Sequence, residues 1–198
     1  MSLRNSTKNG KSYLPPSYAR QKRISQCRSR GGNWNVCDDL NKYYMIKAII
    51  FDLWETLGTK NIGISKVFFE HFSVPPEKRV LEKYEKAVQL KIWNSEEDMV
   101  RSLLRDFDIS LAKENIIWTQ NLFREGIEKA TLFPGTLELL ESIRGRYRLA
   151  LISNTSIFES KVLDKLKIRN FFDVISFSWE IGILKPSVEL FEQTLQKL

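Results

Sequence analysis

Three polar positions, each directly behind an apolar run, define the chemistry this 198-residue chain could perform. Asp52 closes "IKAIIFD", Ser153 and Asn154 close "YRLALISN", and Lys185 stands in "ILKPS" shortly after "FFDVISFS". If the three runs are parallel strands of one open sheet, their carboxyl ends line a single crevice, and these separated residues converge there. A carboxylate, a hydroxyl and an ammonium gathered in one crevice can attack, orient and neutralise a phosphoryl group. Taken singly, each has a plainer explanation: Asp52 as a turn cap, Ser153-Asn154 as a turn pair, Lys185 as a solvated residue at a helix start. Their order along the chain is what raises the functional reading above the bland one.

The elements that must position them follow from hydrophobic pattern. "IKAIIFD" (Ile46–Asp52) is short, rich in isoleucine and nearly continuous in apolar character, which predicts a central strand buried on both faces of a parallel sheet. Tyr147–Asn154 repeats that design, Phe171–Ser178 is a third candidate, and helical segments separate them, so a doubly wound, Rossmann-like α/β sheet is expected. Between the first two strands lie about 70 residues more than a simple crossover needs, and their period is helical. Ile64, Val67, Phe68 and Phe72 form one stripe, ended by Pro75-Pro76; Val80, Leu81, Tyr84, Ala87 and Val88 form a second. Ser95 opens a third helix with a capping box before Met99, Val100, Leu103 and Leu104, and Leu122, Phe123 and Ile127 mark a fourth. Residues 59–131 are therefore expected to form a small helical bundle inserted into the sheet domain, which comprises 45–58 and 132–198.

"FPGTLELLESI" returns the chain to the sheet, with Pro134 expected near the first turn of its helix. In the last helix Val188, Leu190, Phe191 and Leu195 should make the apolar side. That pattern is still running at Leu198, with no glycine cap or further strand, so the sheet is expected to lack its last elements.

Charge is distributed unevenly. Nine of the 31 Lys/Arg and two of the 24 Asp/Glu fall in residues 1–44, so that segment carries the whole net charge of +7, and residues 45–198 balance at 22 of each sign. The segment is rich in Ser, Asn, Arg and Gly without apolar periodicity, which predicts a disordered basic leader. It lacks the interleaved aromatic pattern of a nucleic-acid arm and the apolar face of a transit peptide. Met45, directly before the first strand, is the favoured natural start, with the leader as upstream sequence. Cys27 and Cys37, with His71 as the sole histidine, argue against a nitrogen–sulfur metal site, and a reducing, cytoplasmic setting is expected. No apolar run approaches the roughly 20 residues of a membrane span, so no membrane is expected as partner, and the charge balance of residues 45–198 gives no reason to expect a nucleic acid there.

With "FDLWETLG", "LISNTS" and "ILKPS" in that order, a "FPGTLELL" return and a helical insertion after the first motif, residues 45–198 resemble the haloacid dehalogenase (HAD) superfamily of hydrolases. The resemblance implies a HAD-like core with a helical cap that closes over a small-molecule substrate and excludes water. It implies Asp52 as nucleophile through an aspartyl intermediate, with Lys185 holding the nucleophile and the substrate charge together. Ser153 would hydrogen-bond the transferring group, Asn154 would shape its pocket, and Thr56 would support the loop leaving the first strand.

Two departures bear on activity. The family's phosphatases carry a second aspartate two residues after the nucleophile, as acid and base; here that residue is Trp54, whose indole N–H cannot shuttle a proton at neutral pH. They also complete a Mg²⁺ site with acidic residues of a fourth motif, which this chain does not contain, leaving Asp52 as a lone metal ligand. The expectation is a phosphatase-like hydrolase of a small phosphomonoester, using Mg²⁺ and impaired in this form. The alternative is a metal-free 2-haloacid dehalogenase, in which halide leaves without a proton and an aromatic residue such as Trp54 is in keeping. A binding module without turnover is third.

Overall fold

The computed structural model describes residues 46–198 throughout and, before them, the backbone of two short strands, β1 (Gln26–Arg28) and β2 (Trp34–Val36), which pair antiparallel. Residues 1–45 and 46–198 are separate compact units. The expectations for the leader, from its disorder to its two cysteines and a start at Met45, otherwise concern positions outside the described residues.

The sheet domain is built on three parallel strands in the order β3-β6-β7: β3 (Ala48–Phe51), β6 (Arg148–Ser153) and β7 (Val174–Phe177). β6 is the central strand, buried from Leu149 to Ser153. Leu149 and Leu151 pack with Leu53, Leu57, Leu140 and Phe177, and each such side chain removed from water contributes about 1.5–3 kcal/mol. β3 departs from expectation. Every one of its residues is only half-buried, and Ile46 before it is 69% exposed. The apolar run reports a strand that can be covered, but coverage also requires a lateral neighbour. β3 has β6 on one side and, among the described residues, no strand on the other.

The insertion leaves and returns through a two-stranded antiparallel ribbon, β4 (Gly58–Thr59) with β5 (Thr131–Leu132). Thr59 and Thr131, the bounds read from the sequence, are register partners in it. Gly58 allows the close approach: a Cβ there would lie 2.5 Å from the Thr131 carbonyl oxygen. Four helices follow, α1 (Ile64–His71), α2 (Lys78–Gln89), α3 (Glu96–Asp106) and α4 (Lys113–Glu128). Their stripes meet in one core around Phe68, Tyr84, Met99, Leu103, Leu104 and Phe123, which also reaches Phe158 of the sheet domain. Ser95 caps α3 by accepting a bond from the Asp98 N–H at 3.1 Å, and three acidic residues fill the first turn. Together these suit the positive end of the helix dipole, the cap alone contributing about 1 kcal/mol.

Helix α5 (Thr136–Ile143) begins after Gly135, which adopts φ 82° as its N-cap. Pro134 stands directly before the cap, beside the first turn. Two short helices, α6 (Val162–Lys165) and α7 (Ser178–Ile181), flank β7, and α8 (Val188–Lys197) closes the described chain. α8 lies on the sheet through Leu190 and Thr194, whose hydroxyl donates to Leu190 O and shares a hydrogen bond with the Ser176 hydroxyl. Val188, Phe191 and Leu195 are exposed, so only one of the four residues expected on its apolar side is buried.

Candidate active site

The carboxyl ends of β3 and β6 bring the expected residues to one rim. Lys185 Nζ lies 2.6 Å from Asp52 Oδ2, while Asp52 Oδ1 accepts from the Leu53 N–H at 2.7 Å. The contact is charge-assisted and short, as expected for an ammonium on a carboxylate. The Asp52 side chain retains 41% exposure and Lys185 retains 21%, so the pair stands at the surface of the crevice. Asn154 fixes the Lys185 backbone from the end of β6: its Oδ1 accepts from Lys185 N at 2.8 Å and its Nδ2 donates to Lys185 O at 3.4 Å. Ser153, the last residue of β6, is fully buried and its hydroxyl has no hydrogen-bond partner. A buried hydroxyl in that state is costly unless a ligand supplies the partner.

The loop after Asp52 is held by its own backbone. Leu57 N and Gly58 N both donate to Leu53 O, at 2.9 and 3.2 Å, and Glu55 N donates to Gly58 O at 2.8 Å. Buried Leu53 and Leu57 anchor the loop, and Thr136 Oγ1 donates to Leu57 O. Glu55 pays for the tight turn with φ 56°, the left-handed region that favours glycine. Thr56 is exposed. Trp54 is half-buried against the sheet-domain core, and its indole N–H is buried without a partner. Lys60 Nζ lies 4.9 Å from the centre of its ring, a cation–π arrangement.

A family model of haloacid dehalogenase-like hydrolases matches residues 46–198. The chain belongs to that family. It is 32% identical over 71 residues to pyrimidine 5'-nucleotidase YjjG of Escherichia coli, covering 35% of this chain and 32% of that protein. It is 37% identical over 68 residues to glyceraldehyde 3-phosphate phosphatase of Methanothermobacter thermautotrophicus, covering 33% and 30%. The matched stretch thus spans about a third of these curated relatives. A structure of an aspartate-to-alanine variant of a HAD family enzyme from Bacteroides thetaiotaomicron, in complex with magnesium and inorganic phosphate, superimposes with TM-score 0.52 at 18% identity, covering 77% of this chain and 78% of that one. At that identity the likeness speaks for the fold: a Rossmann-like sheet with a helical cap.

A second cluster of this HAD-like chain was not singled out from sequence. Lys60, at the foot of the cap, forms an ion pair and hydrogen bond with Glu159, which is buried in the sheet domain. Glu159 Oε2 also accepts from the Ser156 N–H at 3.0 Å and the Thr155 hydroxyl at 3.3 Å, and Ser156 Oγ accepts from the Glu159 N–H. Burial pushes the Glu159 carboxyl up, but the Lys60 ammonium and the bonds from Lys60 and Ser156 outweigh it and hold the group below its ordinary value. The reciprocal bonds of Ser156 and Glu159 are those of a capping box, a pattern legible in "SIFE". Tyr84 of the cap is 5% exposed, its hydroxyl unpartnered, and burial followed by the nearby Glu159 charge raises its pKa well above the ordinary phenol value. Lys60, Glu159 and Tyr84 line one cavity of about 430 Å³ with Glu55 of the Asp52 loop.

The donor set is a poor fit to Mg²⁺. Asp52 is the carboxylate of the crevice, its oxygens already engaged by Lys185 and Leu53, and among the described residues no group of three or more His, Cys, Asp or Glu could hold a metal ion. Mg²⁺ usually requires near-octahedral oxygen ligands with one or two carboxylates beside substrate phosphate.

Proposed function

We propose that the chain is a phosphatase-like HAD hydrolase acting on a small phosphomonoester through an aspartyl intermediate. The observation that carries this reading is the 2.6 Å contact of Lys185 Nζ with Asp52 Oδ2, at a rim where the neighbouring strand ends in the unpartnered Ser153 hydroxyl. A nucleophilic carboxylate, a counter-cation for the phosphoryl oxygens and a free donor are the three groups that phosphoryl transfer asks of a protein. The names of two relatives, a nucleotidase and a phosphatase, point to the same substrate class.

In this reading an Asp52 oxygen attacks phosphorus and the bond from phosphorus to the ester oxygen breaks, its electron pair staying on the leaving oxygen. Lys185 and the Ser153 hydroxyl bind the phosphoryl oxygens as charge gathers there. Water then attacks the phosphorus of the aspartyl phosphate, and the bond from phosphorus to the Asp52 oxygen breaks with its electron pair restoring the carboxylate. The water's protons pass to the freed phosphate and to solvent, which also protonates the departed oxygen. Asn154 acts as a positioning residue by clamping the Lys185 backbone. No residue is assigned to protonate the leaving oxygen, because Trp54 offers only an indole N–H. Leaving groups that depart as weak bases should therefore react fastest, and alkyl esters more slowly.

The test is phosphate release from a series of aryl phosphates of graded phenol pKa. A rate that falls steeply as the phenol becomes more basic, and is lost in Asp52→Asn, is expected. Release that survives Asp52→Asn removes the nucleophile assignment. Trp54 favours one competing reading, dehalogenation, since halide needs no proton; Asp52-dependent hydrolysis of 2-chloropropionate without phosphate release would replace the phosphatase.

A further inference from the structure

We infer that the cavity between Lys60, Glu159 and Tyr84 receives the organic part of the substrate and selects a cationic one: a phosphomonoester of a small amino alcohol, in preference to one bearing a second anion. The inference rests on the phosphatase reading for the phosphoryl end and adds the identity of the other end.

The cavity holds about 430 Å³, room for a fragment of a few carbons. Its wall includes Glu55, from the loop that leaves Asp52, and Lys60, whose ammonium covers the Trp54 ring two residues beyond Asp52. The segment from Asp52 to Lys60 therefore runs from the crevice to the cavity wall. Its charged lining is Glu55, Glu85, Glu159 and Lys60. Lys60 is the one cation among them, and it is matched by Glu159. Glu55 and Glu85 make no ion pair among the described residues, so the wall keeps two carboxylates without a counter-charge.

Tyr84 supplies the independent observation. Its hydroxyl is buried and unpartnered, and the residue lines the same cavity. A phenol oxygen accepts from an ammonium, so a cationic ligand group supplies the missing partner. Ile64 and Val88 give the wall an apolar side for the methylene carbons. A carboxylate or second phosphate in this cavity would face Glu55 and Glu85 and have only a neutralised lysine to meet, which selects against it by repulsion.

The experiment is calorimetric titration of the full chain with O-phosphoethanolamine and with 2-phosphoglycolate, which share a two-carbon phosphate ester and differ in terminal charge. O-Phosphoethanolamine is expected to bind at least tenfold more tightly at low salt, a preference erased in the Glu55→Gln, Glu85→Gln double variant. Tyr84→Phe should weaken the amine ester several-fold and leave the acid ester unchanged. Equal affinities, tighter binding of the acid, or no binding of either overturns the inference. Aryl phosphate turnover on the same sample separates the two proposals: Asp52-dependent turnover without amine preference removes only the cavity assignment. Amine preference without turnover supports the cavity and removes the reaction.

Discussion

Two lysine–carboxylate pairs lie within one stretch of structure and differ in nearly every respect that matters for chemistry. Asp52, paired with Lys185, is 41% exposed and held by one backbone N–H besides the lysine. Glu159, paired with Lys60, is 4% exposed in its side chain and takes bonds from Lys60, the Ser156 N–H and the Thr155 hydroxyl. A carboxylate so fully satisfied is a weak nucleophile that fixes a loop. One left partly open at the end of a strand retains lone pairs to share. Pairing with lysine is common to both, and the number of remaining donors and the access of solvent set them apart.

The largest effect expected on breaking this contrast comes from the buried pair. Lys60→Met leaves the Glu159 carboxylate buried without its counter-charge and should cost about 3–5 kcal/mol of stability, read from urea unfolding. A variant that unfolds at the wild-type urea concentration would show the pair to be ornamental. In the crevice the same substitution should divide differently. Lys185→Met should cost at most about 1 kcal/mol of stability, because the pair is solvent-screened, while lowering turnover by about 10²–10³-fold. Equal losses of stability in the two variants would erase the distinction.

Acid sharpens it further. Glu159 has its carboxyl below the ordinary 4.5 in the folded state. Its contribution to stability is therefore complete above that value and lost as pH falls through the lower, folded one. Wild-type stability should thus decline more steeply below pH 4.5 than that of Glu159→Gln, measured by thermal unfolding across a pH series. Parallel curves would assign the acid sensitivity to other carboxylates. The smallest effect concerns the turn beside Asp52. Glu55→Gly relieves the left-handed strain at φ 56° and should raise stability by about 0.5–1 kcal/mol. A loss would mean that the Glu55 side chain holds the loop in some other way.

The crevice was legible in the sequence because parallel strands deliver their last residues to one edge, so Asp52, Ser153 and Lys185 needed only the right order along the chain. The buried pair was not, since Lys60 and Glu159 stand 99 residues apart and belong to no shared period. Tyr84 was visible only as one more apolar position in a helical stripe; its unpartnered hydroxyl depends on what surrounds it. The same limit explains β3, whose isoleucines announce a strand but not how many neighbours it has. It explains α8 as well, where four apolar side chains suggested one buried face and the packed face is marked by Leu190 and Thr194.

Gly58 and Leu132 lie side by side at the root of the cap, as do Thr59 and Thr131. The inserted bundle therefore begins and ends at the same spot, so a hairpin-length connector could bridge its removal and a bundle of another shape could be spliced in its stead without moving Asp52. Whatever the bundle contributes can thus change by exchange of a module, whereas the rim around Asp52 can change only by single substitutions.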